Sequence, residues 1–341
     1  MGPFYVAWWN VENLFDEEHS PRRSEKMARV LGDDLRGWTP ELRDRKISQL
    51  ATVIAQMNGE RGPDLLGVCE VENEFVMQQL AGAVNDRVTG RTYQVVHADT
   101  SDQRGVDVAF IYDSALFTAP ADQRFQHVVM RRTGTREIFQ VNFKTVSGHT
   151  WVVFGNHWPS RRGGELESAA YRATAGETLA YFHERALEVH GAHTPVLVMG
   201  DFNDEPFNVS LTQHALSTRQ RTKVLNATTA PRLWNLMWPI VGNDDRTESA
   251  GSEQTVRPAG TFYFENTANV LDQFLVNKNM LSPRARLRAE PGSVHIVTHP
   301  QGMVGTGRYP APVLFGGMGK DVNKDGYSDH YPIAMHVHEA E

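Results

Sequence analysis

The chain has 341 residues, 40% of them hydrophobic and 22% charged, with a formal net charge of −7. These values are ordinary for a globular protein and exclude a low-complexity, fibrous or broadly basic chain. No apolar run approaches the ~20 residues of a membrane helix, and the single cysteine, Cys69, excludes an internal disulfide framework or a cysteine-rich zinc site.

The first apolar run, FYVAWWN, reads as a buried strand ending on Asn10. It starts so close to Met1 that no secretory leader is expected, and Val6 breaks the myristoylation pattern. A cytoplasmic monomer is expected, or a secreted or periplasmic one if a leader has been removed. Residues 16–37 are charged, with Pro21 and Gly32, and read as a surface excursion. Over 40–57, Leu42, Ile47, Leu50, Val53, Ile54 and Met57 recur at helical spacing behind a Thr39 cap and Pro40. A strand at 64–70 (DLLGVCE, with Glu70 last) and a helix at 73–86 follow.

Strands are expected at 93–97, 106–112, 124–130, 137–146 and 150–155, the last continuing to Asn156 and His157. A long helix is predicted over 165–189, with Leu166, Tyr171, Leu179, Phe182 and Leu187 on one face. The run PVLVMGDFN gives a strand at 195–200, and a short helix is expected near 207–217. Residues 240–260 are polar and turn-rich and read as a loop. Strands at 261–265, 270–276 and 331–337 complete the chain. There is no long linker and no repeat, so residues 1–341 are expected to form one domain. Several strands adjoin in sequence, which suggests mixed sheets within an α/β fold.

Four strands end on polar residues, and strand tips can converge to build a site that no local stretch contains. GDFND at 200–204 is the sharpest motif. Gly200 permits a tight backbone, Asp201 can accept a proton or orient a water, and Asn203 offers both donor and acceptor. The structural alternative is an Asp/Asn turn. Glu70 ends an apolar strand, where a lone carboxylate is costly and wants a cation. A salt bridge to arginine is the alternative, and Glu72 is a rival ligand. His157 can serve a leaving oxygen, and Arg161 and Arg162 beyond it can clamp phosphate together with Asn156. Otherwise they are a structural histidine and a solvated loop. Asp329 and His330 adjoin, and Asp272 lies inside the apolar run ANVLDQFLV. Such an acid suits fixing a histidine tautomer, or capping local amides. Arg104 and Asp107 could handle phosphate or form an ion pair. Asp321, Asn323 and Asp325 in DVNKDG fit the start of a calcium loop, but its twelfth position is Pro332, not Glu. An Asp-Gly turn is the other reading.

Taken together, WNVENLFD, Glu70, Asn156–His157, GDFND, Asp272 and SDHYP occur in an order that resembles the endonuclease/exonuclease/phosphatase superfamily over nearly the whole chain. The resemblance implies a four-layer α/β sandwich, two mixed β-sheets face to face with helices outside. It implies Asn10, Glu70 and Asp329 as metal-side residues. It further implies His157 near the scissile phosphate, Asp201 as the water-activating acid, Asn203 holding phosphate, and Asp272 orienting His330. The stretches RGVDVAF and WPSRRGG look like its bacterial nuclease-like branch. Cys69 stands where the DNA-repair branch usually has Gln, and that branch's DNA-gripping insertions are not found. The expected activity is a Mg2+- or Mn2+-dependent phosphodiesterase, nucleic acid being the favoured substrate. The alternatives are a phosphatase or lipid esterase of the same superfamily, or a non-catalytic binding module stabilised by Ca2+.

Overall fold

A computed structural model describes residues 2–100, 105–132, 134–250, 253–317 and 320–340. In its first half run β1 (Phe4–Leu14), α1 (Glu25–Leu31), α2 (Pro40–Glu60), β2 (Leu65–Val71), α3 (Glu74–Asn85), β3 (Tyr93–His97) and β4 (Asp107–Asp113). After these come β5 (Phe117–Thr118), β6 (Arg124–His127), β7 (Ile138–Thr145), β8 (Thr150–His157), α4 (Glu165–His190) and β9 (Val196–Asp201). Short pieces follow: β10 (Ser217–Thr218), α5 (Arg221–Leu225), β11 (Leu233–Asn235), and hairpins β12 (Arg246–Ala250) with β13 (Glu253–Arg257) and β14 (Phe262–Phe264) with β15 (Thr267–Asn269). β16 (Asp272–Asn277), β17 (Leu287–Ile296) and β18 (Ile333–Glu339) close the fold.

Alternation along β1 sets the layers. Phe4, Val6 and Trp8 point to one side and Tyr5, Ala7, Trp9 and Val11 to the other, and both sets are buried. A strand buried on both faces must lie inside a sheet covered on both sides. β1 lies in a six-stranded sheet ordered β17-β18-β1-β2-β4-β3, and the second large sheet runs β10-β11-β16-β9-β8-β7-β5, with β6 also on β7. Trp8, Phe110 and Met335 of the first sheet meet Phe143, Met199 and Phe274 of the second in one core. The outer face of the first sheet carries α2 and α3 through Leu50, Ile54 and Met77, and that of the second carries α4 through Ala175 and Leu179. The fold is therefore the four-layer sandwich expected.

The glycines mark where the sheets come closest. A Cβ on Gly155 would stand 2.6 Å from Val108 Cγ1 and 2.9 Å from Phe110 Cζ, across the sandwich.

Three expectations need correction. Of the predicted face of α4, Leu166 is 85% exposed and Tyr171 is also exposed, while Leu179 is buried. The buried stripe is Ser168, Arg172, Ala175, Gly176, Leu179, His183 and Ala186. Small residues are needed there because a Cβ on Gly176 would meet the Ser210 carbonyl at 2.5 Å. Residues 240–260, expected as loop, include the hairpin β12–β13. The helix expected near 207–217 is one π-helical turn, Ser210–His214, followed by β10. β17 escapes the pattern reading because Pro291 and Gly292 interrupt it, at a register shift between Glu290 and His295. The excursion at 16–37 contains α1, capped by Ser24.

Gly155→Ala is expected to lower stability by about 1–3 kcal/mol through overpacking. Gly82→Ala, in α3 with open space around its Cβ, should raise it by about 0.5–1 kcal/mol through helix propensity. Urea midpoints at unchanged m-value check both, and equal effects would contradict the packing described.

Candidate active site

The alternation that builds the core also aims the polar strand tips. In β8, Trp151 and Val153 face the inter-sheet core, and His157 is in the same phase. Asp201 follows Leu197 and Met199 in β9, and Asp272 precedes Phe274 and Val276 in β16. Cross-strand register places His157 opposite Asp201 and Asp201 opposite Asp272. The three form one row across the end of the second sheet, turned toward the first. Asn10 continues the phase of Val6 and Trp8 and reaches across, donating Nδ2 to Asp201 Oδ2 at 3.1 Å.

Glu70 is out of phase, and the backbone corrects this. The pairing of β2 shifts between Cys69 and Val71, and Glu70 adopts φ +66°. This is a bulge, which re-aims the side chain. Its Oε1 lies 3.5 Å from His157 Nε2, and its Oε2 accepts the Asn13 amide at 3.1 Å. Glu12, Asn13 and Asn203 are also left-handed, with φ of 51°, 55° and 49°. Four such non-glycine residues at one rim concentrate backbone strain there. Lys46 Nζ donates to the Glu12 carbonyl, and the Glu12 carboxylate accepts the amides of Phe315 at 2.9 Å and Gly316 at 3.2 Å. Asn203 N donates to Asp201 Oδ1 at 2.9 Å, and its Nδ2 donates to the Trp158 carbonyl at 3.0 Å.

His330 completes the row. Its Nδ1 is 2.7 Å from Asp272 Oδ2 and its Nε2 is 3.9 Å from Asp201 Oδ2. Asp272 is held in turn by the Trp8 indole at 3.0 Å, and its amide donates to Thr261 Oγ1 at 3.1 Å. Trp9 Nε1 donates to the His330 carbonyl at 2.9 Å, and the Phe262 ring lies 4.8 Å from the imidazole. Burial raises the Asp201 carboxyl to about 7 against the opposing pull of His330. Burial would lower His330, but Asp272 and Asp201 raise it to about 10. At neutral pH the ring is an imidazolium between two acids.

Asp329 stands at the rim, 26% exposed at its side chain, with Lys320 Nζ 3.4 Å from Asp329 Oδ2 and 3.4 Å from Glu12 Oε1. Glu70, Asp201 and Asp329 and the Asn10 amide carry the oxygen donor types that a hard divalent cation takes. Ligand atoms of Cys69, His157 and Asp201 also lie within 4.8 Å of one another. Burial and the nearby acids Asp201 and Glu70 push the Cys69 thiol far up, so it stays protonated and is a poor ligand.

Other expected residues lie elsewhere. Asn156 is fully buried in the opposite phase to His157, its Oδ1 accepting the Trp158 indole at 3.0 Å, so it cannot reach a substrate phosphate. Arg161 donates Nε to the Asn203 carbonyl at 2.8 Å and lies 3.4 Å from Asp204. It is committed to the loop that carries Asn203. Arg162 is exposed beside it. Glu72, the rival ligand, is bound by Arg23 at 2.6 Å. Asp107 Oδ2 lies 3.0 Å from His97 Nε2, and Arg104, its expected partner, lies outside the described residues. Asp321, Asn323 and Asp325 are exposed, Asn323 Oδ1 accepts the Asp325 amide at 3.1 Å, and Asp325 pairs with Arg45 at 2.9 Å. The segment is a turn in this structure.

Glu12, Lys46, Trp8, Thr261 and Lys320 were not singled out from sequence. Glu12 had a signal, an acid just past an apolar strand, and so did Lys46, a charge beside Ile47 on the buried stripe of α2.

A sequence profile described as "Endonuclease/Exonuclease/phosphatase family" matches residues 5–339. No curated protein matches the sequence significantly. Among solved structures, the chain is similar to a mannosyl-6-phosphatase of Bacteroides thetaiotaomicron (16% identity, TM-score 0.53, covering 98% of this chain and 99% of that one). It is similar also to the human Nocturnin catalytic domain with bound sulfate (16%, 0.53, 99% and 94%) and to truncated TDP2 of Caenorhabditis elegans (12%, 0.55, 99% and 98%). At these identities the likeness concerns the fold.

A histidine raised to about 10 when folded, against 6.5 unfolded, stabilises the fold fully below pH 6.5 and loses that effect as pH rises through 10. Asp201, raised from 3.8 to about 7, acts in the same direction over its own window. In EDTA, unfolding free energy should therefore fall between pH 7 and 9.5, and Asp272→Asn should flatten that fall. Urea melts at the two pH values check it, and unchanged slopes would remove His330 as the titrating group.

Proposed function

This chain belongs to the endonuclease/exonuclease/phosphatase family, whose members are hydrolytic phosphoesterases, and on that premise we propose that it is a divalent-metal-dependent phosphodiesterase acting on nucleic acid. The observation that carries this reading is the row His157–Asp201–Asp272 closed by His330 and faced by Asn10 and Glu70. Glu70 and Asp329, with Asn10, would hold Mg2+ or Mn2+, which when bound supplies Lewis-acid polarisation of a phosphoryl oxygen.

The chain's own groups do the rest. Asp201, raised to about 7 by burial, is poised as a base near neutral pH and orients an attacking water. The amides of Asn10 and Asn203 fix the rotation of its carboxylate. His330, charged and locked by Asp272, offers Nε2–H toward the phosphate oxygens, where negative charge grows. His157, beside Glu70, is placed to protonate the leaving oxygen.

A nucleic-acid substrate is supported by the aromatic face beside His330. Phe262 and Phe264 lie two residues apart on β14, hence on one face, and Phe264 is 62% exposed. Exposed aromatic rings near a phosphate site suit stacked bases. A phosphomonoesterase is the second reading, favoured by the fold likeness to a mannosyl-6-phosphatase.

Hydrolysis of bis(p-nitrophenyl) phosphate, an oligonucleotide and a sugar phosphate should require Mg2+ or Mn2+ and stop in EDTA. Asp201→Asn should lower turnover by about 10²–10⁴-fold, and Glu70→Gln should raise the metal concentration needed for half-maximal rate. Retained turnover in Asp201→Asn would sink the mechanism, and a preference for the sugar phosphate would select the second reading. Phe264→Ala should raise KM for the oligonucleotide by about fivefold or more, the lower end of a lost stacking contact. KM for bis(p-nitrophenyl) phosphate should stay unchanged. Equal effects on both substrates would remove the stacking role.

A further inference from the structure

A second concave site lies at the far edge of the second sheet. A cavity of about 670 Å³ opens between β10, α5 and the segment 226–238. Its wall carries three cations, Arg219, Lys223 and Arg232, and among the described residues no carboxylate lines it. Threonine and amide side chains supply most of the remainder. Two buried donors on the same wall make no hydrogen bond with any described residue: Ser217 Oγ, on a residue 2% exposed, and the Trp238 indole Nε1. Buried polar atoms are normally satisfied, and one left alone is costly. Donors and cations without an opposing acid are complementary to an oxyanion.

This cavity is separate from the catalytic row. Ser217 pairs with Leu233, which pairs with Asn277, five residues along β16 from Asp272. At ~3.3 Å per residue and ~4.8 Å per strand spacing, the two sites are roughly 20 Å apart. Among the described residues its wall carries no histidine and no carboxylate, so it has no carboxylate or imidazole base and no anionic metal ligand, and it can bind a phosphate without cleaving it. The fold fixes the wall: the Trp234 indole donates to the Arg219 carbonyl at 3.1 Å, and the Arg219 guanidinium lies 5.7 Å from the centre of the Trp238 ring.

We infer that this cavity is a second, non-hydrolytic binding site for a phosphate group, held by Lys223, Arg232 and Arg219 with Ser217 and the Trp238 indole as neutral donors. The phosphate belongs either to a free small molecule or to a remote position of a polymeric substrate. The chemistry is the same, and the test separates the two sources.

The test follows the indole 1H–15N signal of Trp238 in the full-length protein in EDTA, identified by its loss in Trp238→Phe. Inorganic phosphate is titrated in one arm and a 12-nucleotide single strand in the other. A saturable shift is expected in wild type and equally in Asp201→Asn. In the double variant Lys223→Gln/Arg232→Gln the dissociation constant should rise at least tenfold, with hydrolysis of bis(p-nitrophenyl) phosphate within twofold of wild type. Response to inorganic phosphate assigns a small-molecule site, and response to the strand alone assigns a remote backbone phosphate. No saturable shift in either arm, or an unchanged constant in the double variant, overturns the inference. Lys223 is exposed and Arg232 is partly exposed, so an unaltered urea midpoint separates lost binding from lost fold.

Discussion

Two carboxylates, Asp201 and Asp272, stand directly opposite each other on adjacent strands at the buried end of a sheet. Like charges in that relation repel, and burial adds a desolvation cost to each. His330 resolves the conflict by sitting between them with one nitrogen toward each acid. Much of the surrounding structure supports that arrangement. Trp8 comes from β1, Thr261 and Phe262 come from the segment before β16, and His330 itself precedes β18. Residues separated by more than 320 positions meet here, so the site forms only when both sheets are closed.

The same closure explains why the reactive end is strained. Strand pairing in the first sheet would continue past Asn10 and Cys69 if nothing interrupted it, but the register shifts at both places. Left-handed Glu12, Asn13 and Glu70 turn the chain so that polar groups face the gap between the sheets. Such backbone persists only where its surroundings over-determine it. The ammonium of Lys46 on the Glu12 carbonyl, and two amides on its carboxylate, supply that determination. Burial favours the neutral amine of Lys46 and the neutral acid of Glu12, and each ion opposes the other's neutralisation. The pair is thus retained by mutual charge and backbone contacts.

How much of this was legible in the sequence follows from what carries the signal. Alternating apolar runs announced the strands, their polar last residues announced His157 and Asp201, and an acid inside an apolar run announced Asp272, because phase within a strand is a local property. Asn156 shows the limit. It adjoins His157, yet the same period of two sends it to the opposite face. Arg161 looked like a phosphate clamp, but its carbonyl and carboxylate partners come from residues 203 and 204, which no local pattern could place. The buried face of α4 was misread because close approach to Ser210 demands Gly176 and small neighbours, and an apolar stripe does not report closeness. Glu70 was found for a different reason from the one that makes it effective. A charge ending an apolar strand was visible, whereas the bulge that re-aims it was not.

Charge balance joins the site to the proposed chemistry. Glu12, Glu70, Asp201, Asp272 and Asp329 crowd one rim, against Lys46, Lys320 and the His330 imidazolium. In a chain of net charge −7, that rim has little to offer an incoming phosphate, which is itself an anion. A divalent cation on Glu70 and Asp329 would reverse the local field. It would also compete directly with Lys320 for Asp329 (the two now lie 3.4 Å apart). On the proposed reading Lys320, which bridges Glu12 and Asp329 in this structure, would give up Asp329 to such a cation. A lysine suits this exchange better than an arginine would. Its point charge makes no bidentate grip on a carboxylate, so giving up Asp329 costs less.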